Sequence, residues 1–424
     1  MWVPCAASRT WSTGSPSTAT SRIRSSSGTC SRSRSSARPC SREPRSRRRS
    51  ASSRRPRLEP RPLARTYRIA VLPGDGIGPE VTREAVETLR LVAEMRGFAL
   101  DLTTYPFGAD HYLKTKETFP ASALEEMRGQ DAILLGAIGD PRLPVGMLER
   151  AIISGIRFGL DLYVNLRPVK LFAADLCPLK GKRPEDVDLI VVRENTEDVY
   201  AGIGGFLKKG TPDEVAVQQM IFTRKGVERV IRYAFDLCRR RAKARKLTLV
   251  DKANAVGAME IWTRTFEEVG SGYPEITRDH AYIDAACMWM VKNPESFDTV
   301  VVSNMFGDIL TDLGAAIQGG MGIAASGNIH PGRVSMFEPI HGSAPKHAGK
   351  DVASPIGAIL AAQMLLEHLG EGDGAAHIGQ SVAGLFAGGR LRSAGTDSGG
   401  GTREQGEWVR EAIRRSAAGP ALRR

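Results

Sequence analysis

"VLPGDGIGPE", residues 71–80, decides how this chain is read. Apolar residues lead into three glycines within five positions, and a proline opens what reads as a helix. A phosphate-cradling strand–loop–helix turn has the same outline. The spacing differs. Glycines at 74, 76 and 78 give G-x-G-x-G, followed by Pro79. The dinucleotide fingerprint needs G-x-G-x-x-G with a small last residue. The stretch therefore reads as a tight turn whose glycines permit unusual backbone angles.

What precedes it has another character. Residues 1–66 hold 16 Arg and two acids, Glu43 and Glu59, a net of +14. The rest has 43 basic and 45 acidic residues, so the overall +12 belongs to the leading segment. That segment is Ser/Arg/Pro-rich, cannot bury a core, and is expected to be disordered. Three readings compete for it. It has the Arg/Ser bias of an organelle transit peptide but no amphipathic apolar face. Its arginines suit a nucleic-acid-binding arm. The default is an extension without an evolved role, or a start codon placed too early. It has no apolar region of a secretory signal. No run of 18 strongly apolar residues suggests a membrane span. Six scattered cysteines without ligand spacing read as reduced thiols, so a cytoplasmic setting is expected, or an organelle if residues 1–66 are a transit peptide.

From Tyr67 onward the pattern is α/β. "YRIAVLP" (67–73), "DAILLGAI" (131–138), "VDLIVVR" (187–193), "KLTLVDK" (246–252) and "FDTVVVSN" (297–304) read as buried strands. A helix follows Pro79 with Val81, Ala85, Leu89 and Val92 at helical spacing and Gly97 at its end. Further helices are expected over 224–244, 255–268 and 355–369. The alternation predicts a largely parallel, helix-covered sheet. Residues 206–222 read as a polar, hairpin-like arm.

The strongest chemical signal is "SNMFGDILTDLG", 303–314. In a helix beginning near Gly307, Asp308 and Asp312 project from one face, one turn apart. Like charges at that spacing need an offset, and a divalent cation with oxygen ligands supplies one. The bland alternative is a solvated acidic face. Asp284, in "HAYIDAACMWM", sits in an apolar setting and offers a third carboxylate. Lys252 ends an apolar strand, either as a surface cap or as a base. Arg193 and Tyr200 lie in "VVRENTEDVYAG"; Arg157 and Arg167 lie in "IRFGLDLYVNLRP". Three arginines suit an acidic ligand, and each alone is equally a surface ion pair. Together these residues point to metal-assisted chemistry on a small polycarboxylate.

The blocks "PGDGIGPEV", "NLRP", "RENTE…YAG", "DKAN", "NMFGDILTDL" and "EPIHGSAP", in that order over about 67–390, resemble the β-decarboxylating dehydrogenases. That family acts on isocitrate, 3-isopropylmalate, homoisocitrate, and tartrate or D-malate. The resemblance implies a two-domain fold with a shared, largely parallel sheet, not an ordinary Rossmann fold. Residues 67–162 and 319–424 would form the cofactor domain, and 163–318 the substrate, metal and dimerisation domain with arm 206–222. It implies Mg²⁺ or Mn²⁺ at Asp284, Asp308 and Asp312, with Asp284 also at the substrate. Arg157, Arg167 and Arg193 would hold the malate carboxylates. Lys252 would take the hydroxyl proton and Tyr200 would protonate C3. Lys252 and Asp284 would enter the site from the other subunit of a homodimer.

The resemblance places the cofactor along 341–355 instead of on a Rossmann turn. His341, Gly342, Ser343, Ala344, Lys346 and Ser354 are the expected contacts, with Ile77 and Glu338. The resemblance makes NAD the default, but Lys346 stands where many NAD-using members carry Asp and some NADP-using relatives carry Lys, so NADP stays open. The helix before Arg157 bears on the substrate. Isocitrate enzymes place Ser and Asn where this chain has Ala151 and Ile153. Homoisocitrate enzymes place Arg at the position of Ser154. An apolar 3-substituent such as isopropyl is expected first, and a smaller or more polar one second.

Overall fold

The structure is a computed structural model that describes residues 65–393, 395 and 398–417. The expectations for the leading segment lie outside the described residues, except that Thr66 already belongs to the first strand.

Twelve strands are described. They are β1 (Thr66–Gly74), β2 (Ala99–Thr104), β3 (Ala132–Ala137), β4 (Val164–Lys170), β5 (Asp188–Glu194), β6 (Gly204–Leu207), β7 (Val215–Gln218), β8 (Lys246–Asp251), β9 (Thr277–Tyr282), β10 (Thr299–Val302), β11 (Ala325–Ile329) and β12 (Met336–Pro339). The α-helices are α1 (Gly78–Arg96), α2 (Ala109–Thr115), α3 (Ala121–Arg128), α4 (Gly155–Gly159), α5 (Arg224–Arg241), α6 (Glu260–Gly270), α7 (Ile283–Lys292), α8 (Asn304–Ile317), α9 (Ile356–His368), α10 (Gly372–Ala387) and α11 (Thr402–Ala417).

Ten strands form one sheet in the order β2-β1-β3-β12-β11-β4-β5-β10-β8-β9. Every neighbouring pair is parallel except β12–β11, β11–β4 and β4–β5. Three reversals separate the two outer groups, so β2-β1-β3-β12 runs opposite to β5-β10-β8-β9. The fold is α/β with a largely parallel, mixed sheet. β3 and β10 are buried along their whole length, as expected of strands covered on both faces.

The opening stretch becomes the end of β1, a turn and the start of α1. Pro79 lies in the first turn of α1, and Gly97 caps its end with φ +77°. Gly76 has φ +59°, and a Cβ there would sit 2.0 Å from the Ser343 carbonyl oxygen. The amide of Ile77 donates to that same oxygen at 2.8 Å. The Asp75 carboxylate accepts from the amides of Ala109 and Gly139 at 2.7 and 2.9 Å. The turn is thus a joint that ties β1 to the segment after β12. Gly76→Ala is expected to cost at least ~2 kcal/mol, from left-handed strain plus a backbone clash. Calorimetry would read this as a lower Tm, and an unchanged Tm would remove the joint.

Candidate active site

Three parallel strands bring candidate residues to their carboxyl ends, where α/β sheets place ligand sites. β5 ends on Arg193 and Glu194, β8 leads into Lys252, and β10 leads into α8. The helix carrying Asp308 begins at Asn304, three residues before the expected Gly307, because Ser303 already turns the chain out of β10. Gly307 then lets α8 lie close to the sheet. A Cβ there would fall 2.6 Å from Arg193 Cγ.

That approach seats the carboxylates on the arginines. Arg193, only 2% exposed, lies 2.5 Å from Asp308 Oδ1. Arg167, 8% exposed, is 3.4 Å from Asp312 Oδ1 and 3.6 Å from Asp308 Oδ1. Arg167 also donates to Thr311 Oγ1 at 2.6 Å and to Asn165 Oδ1 at 2.8 Å. The Tyr200 hydroxyl donates to Asp308 Oδ2 at 2.9 Å. Arg157 donates to Glu338 Oε1 at 2.8 Å, as does Asn328. Asn328 in turn accepts from Asn165 and Asn195 at 2.9 and 3.0 Å. One polar network therefore runs from Arg157 to Asp312.

Its electrostatics fit an anion-hungry site. Burial, then repulsion from Arg167 and Arg157, pushes Arg193 down to about 10, against the pull of Asp308. Burial likewise lowers Arg167. Burial works to raise Asp308, but Arg193 and Arg167 outweigh it and hold the carboxyl below its usual range. Asp312 is raised, chiefly by burial. Burial and the Asp308 charge push the Tyr200 phenol up, so it keeps its proton at neutral pH. Two buried cations repel each other here, and Asp308 offsets that repulsion and their burial only in part.

Lys252 and Asp284 form a separate pair. Lys252 Nζ donates to Asp284 Oδ1 at 2.7 Å, and that hydrogen bond lowers the Asp284 carboxyl. The apolar setting expected for Asp284 is not found. Its side chain is 67% exposed, because it occupies the first turn of α7, where an acid faces the positive end of the helix. Neighbouring Met288 and Trp289 are exposed as well. Among the described residues, no three carboxylate, imidazole or thiol groups converge as a metal cage.

Of the residues expected to contact the cofactor, several fall around the opening turn. Ile77 and Ser343 meet directly. Glu80 on α1 accepts from the amides of Gly349 and Asp351, anchoring the far part of the same loop. Ala344 has φ +39°, and the neighbouring Gly342 is exposed. The His341 ring is lowered by burial, and its Nε2 is buried without a partner. Lys346 is exposed, with no carboxylate partner among the described residues. Glu338 points into the Arg157 network instead of standing open beside the loop. Ser354 is buried, and its Oγ accepts from the Ile356 amide at 3.4 Å.

Sequence reasoning passed over Asn165, Asn195, Asn328, Thr311 and Glu194. Glu194 is buried beside Arg193, and burial pushes it up to about 7, although Thr196 and Glu197 donate to it. Polar residues interrupting "YVNLRP", "VVREN" and "ASGNI" were the available signal. Buried polar groups in a strand need partners, and a site provides them.

Paired carboxylates thus sit against buried arginines, with the Tyr200 phenol on one of them. Residues 68–404 match the isocitrate/isopropylmalate dehydrogenase family, and the chain belongs to it. It is 53% identical over 323 residues to a 3-isopropylmalate dehydrogenase of Thermobifida fusca, covering 76% of this chain and 91% of that one. It is 50% identical over 343 residues to a 3-isopropylmalate dehydrogenase of Frankia casuarinae, covering 80% and 97%. Among solved structures, isocitrate dehydrogenase from Methylococcus capsulatus superposes with a TM-score of 0.74 at 36% identity, covering 82% and 99%. A β-decarboxylating dehydrogenase from Thermococcus kodakarensis gives 0.69 at 34% identity, covering 84% and 99%.

Proposed function

We propose that the chain is a 3-isopropylmalate dehydrogenase of leucine biosynthesis. It would oxidise (2R,3S)-3-isopropylmalate at C2 with NAD and decarboxylate the product to 4-methyl-2-oxopentanoate. The observation that carries this reading is the pair of buried arginines seated on Asp308 and Asp312, in a chain half identical to two enzymes of that name.

In this reading Arg157, Arg167 and Arg193 bind the two carboxylates, and the substrate relieves their mutual repulsion. Lys252 takes the C2 hydroxyl proton as the hydride leaves C2. Loss of CO₂ returns an electron pair to the C2 carbonyl as an enolate, and Tyr200 delivers the proton to C3. Hard carboxylate oxygens suit Mg²⁺ or Mn²⁺, and one chain offers two of them, Asp308 and Asp312, on one helix face. Asp284 of a second copy would complete the set. His341, with its unpartnered Nε2, and Gly342, Ser343, Ala344, Ile77 and Lys346 would hold the dinucleotide. When bound, the cation supplies a Lewis acid and the dinucleotide a hydride acceptor. Lys346 keeps NADP open, since a cation suits a 2′-phosphate.

A homodimer goes with this reading. β6 and β7 form a two-stranded hairpin exposed along both strands, with Phe206 60% and Leu207 64% exposed. Such a hairpin is marginal alone and suits pairing with a second copy. The proposed domains are 67–162 with 319–424 for the cofactor and 163–318 for substrate, metal and dimer. A cytoplasmic setting is proposed with them. Among the described residues, no helix is long and apolar enough to cross a membrane.

Ser154, where an apolar residue lines many isopropylmalate sites, favours D-malate or tartrate as the second reading. Initial rates decide between them, using 3-isopropylmalate, D-malate, tartrate, isocitrate and homoisocitrate, each with NAD and NADP. The expected result is Mg²⁺- or Mn²⁺-dependent turnover of 3-isopropylmalate, with kcat/KM at least ~10-fold above D-malate, the lower end of what one buried methylene contributes. Turnover of D-malate but not 3-isopropylmalate would transfer the assignment to the second reading.

A further inference from the structure

Leu166 and Arg167 are neighbours on β4, so they face opposite sides of the sheet. Arg167 reaches Thr311 and Asp312 on the catalytic side. Leu166 faces the other side, where it lines a cleft of about 1260 Å³. α5 and α9 both contribute walls, and Leu166 and Phe337 belong to its apolar lining.

The charge of this cleft is one-sided. Seven arginines line it against three carboxylates. Four of the seven have carboxylate partners: Arg68, Arg128, Arg229 and Arg232. Among the described residues, Arg65, Arg240 and Arg333 have none. Arg229 is partly engaged, donating to Asp161 and Thr196 at 2.8 and 2.9 Å, while its buried Nε has no partner. Gln130 Oε1, on the same wall, is also buried and unpartnered. Three guanidiniums stand over tyrosine rings, Arg65 over Tyr67 at 4.8 Å, Arg229 over Tyr163 at 4.2 Å and Arg240 over Tyr233 at 5.9 Å. Unpaired cations beside an apolar floor and aromatic faces match an amphipathic anion.

We propose that this cleft binds a nucleotide-sized organic anion. Arg240 and Arg333 take its phosphate or carboxylate head, and its apolar body lies on Leu166 and Leu237, both partly exposed in the lining. Because the sheet lies between the two sites, its occupant does not compete with substrate.

The probe is 8-anilinonaphthalene-1-sulfonate, titrated into the full-length protein and followed by fluorescence. One molecule is expected to bind per chain, unaffected by saturating 3-isopropylmalate with Mg²⁺. AMP and 4-methyl-2-oxopentanoate are the two displacing arms; displacement by the first identifies a phosphate source, and by the second a carboxylate source. Arg240→Glu/Arg333→Glu, with the milder Arg240→Gln/Arg333→Gln beside it, is expected to weaken probe binding at least ~10-fold, in keeping with the loss of charge-assisted contacts. Their kcat and KM should stay at the parent values. Arg264→Glu, an exposed arginine of α6, serves as the control and should leave probe binding unchanged. The proposal is overturned if the double variants bind the probe like the control, if 3-isopropylmalate displaces it, or if neither arm does.

Discussion

Lys252→Met is expected to lower kcat with 3-isopropylmalate by about 10³-fold, within the range general bases contribute. Methionine keeps the length and the apolar stem of lysine, so the packing at the end of β8 survives. What disappears is the Lys252 amine that the proposed reaction uses, once it has given up its own proton, as the base for the hydroxyl proton. Asp284 loses its 2.7 Å partner, but it is largely exposed, and water replaces the ammonium. Tm should therefore hardly move. KM should change little, because Arg157, Arg167 and Arg193 still bind the carboxylates. Steady-state kinetics beside a thermal melt separate the two roles. A kcat within twofold of the parent would reduce Lys252 to a surface cap.

The parts of the fold that were legible are those where one physical rule dominates. β3 and β10 are mostly apolar runs buried along their whole length, β5 and β8 have buried apolar centres, and α1 carries both of its punctuation marks, Pro79 and Gly97. The middle of the sheet was less legible. β4, β11 and β12 carry Asn165, Arg167, Asn328 and Glu338, because one face of each strand joins a buried polar network. Polar residues inside short strands defeat the apolar-run rule while marking the site. The expected helix over 255–268 begins only at Glu260, since the Lys252 carbonyl accepts from the amides of Ala255 and Val256 in a turn. The Asp308–Asp312 pair was legible from spacing alone. Its seat on Arg167 and Arg193 was not, since the residues lie more than a hundred positions apart. Asp284 was misjudged for a related reason. Its apolar neighbours suggested burial, yet Met288 and Trp289 lie exposed on α7, a face that a second copy would cover.

Mixing two dead proteins is expected to restore activity. Asp308→Asn alone should abolish turnover by 10³-fold or more, because electrostatic preorganisation is commonly the largest catalytic term. Asn cannot accept from Arg193 and Tyr200 together while balancing a guanidinium that is 2% exposed. Uncompensated buried charge also destabilises; with Asp308 itself 39% exposed, screening holds that cost to about 1–2 kcal/mol. Lys252→Met is inactive for a different reason, and its lesion sits in the other cluster. If each site takes Asp308 from one copy and Lys252 from the other, a mixed dimer carries both lesions in one site and none in its second. Statistical reassortment makes half the dimers mixed, with half their sites intact. Co-refolded protein should then recover roughly a quarter of parental kcat. If both clusters served the same site within one chain, every site would keep one lesion and the mixture would stay dead. The two outcomes differ by more than a hundredfold in rate. The mixture therefore tests whether the exposed hairpin and α7 bring a second copy's Lys252 to the arginines.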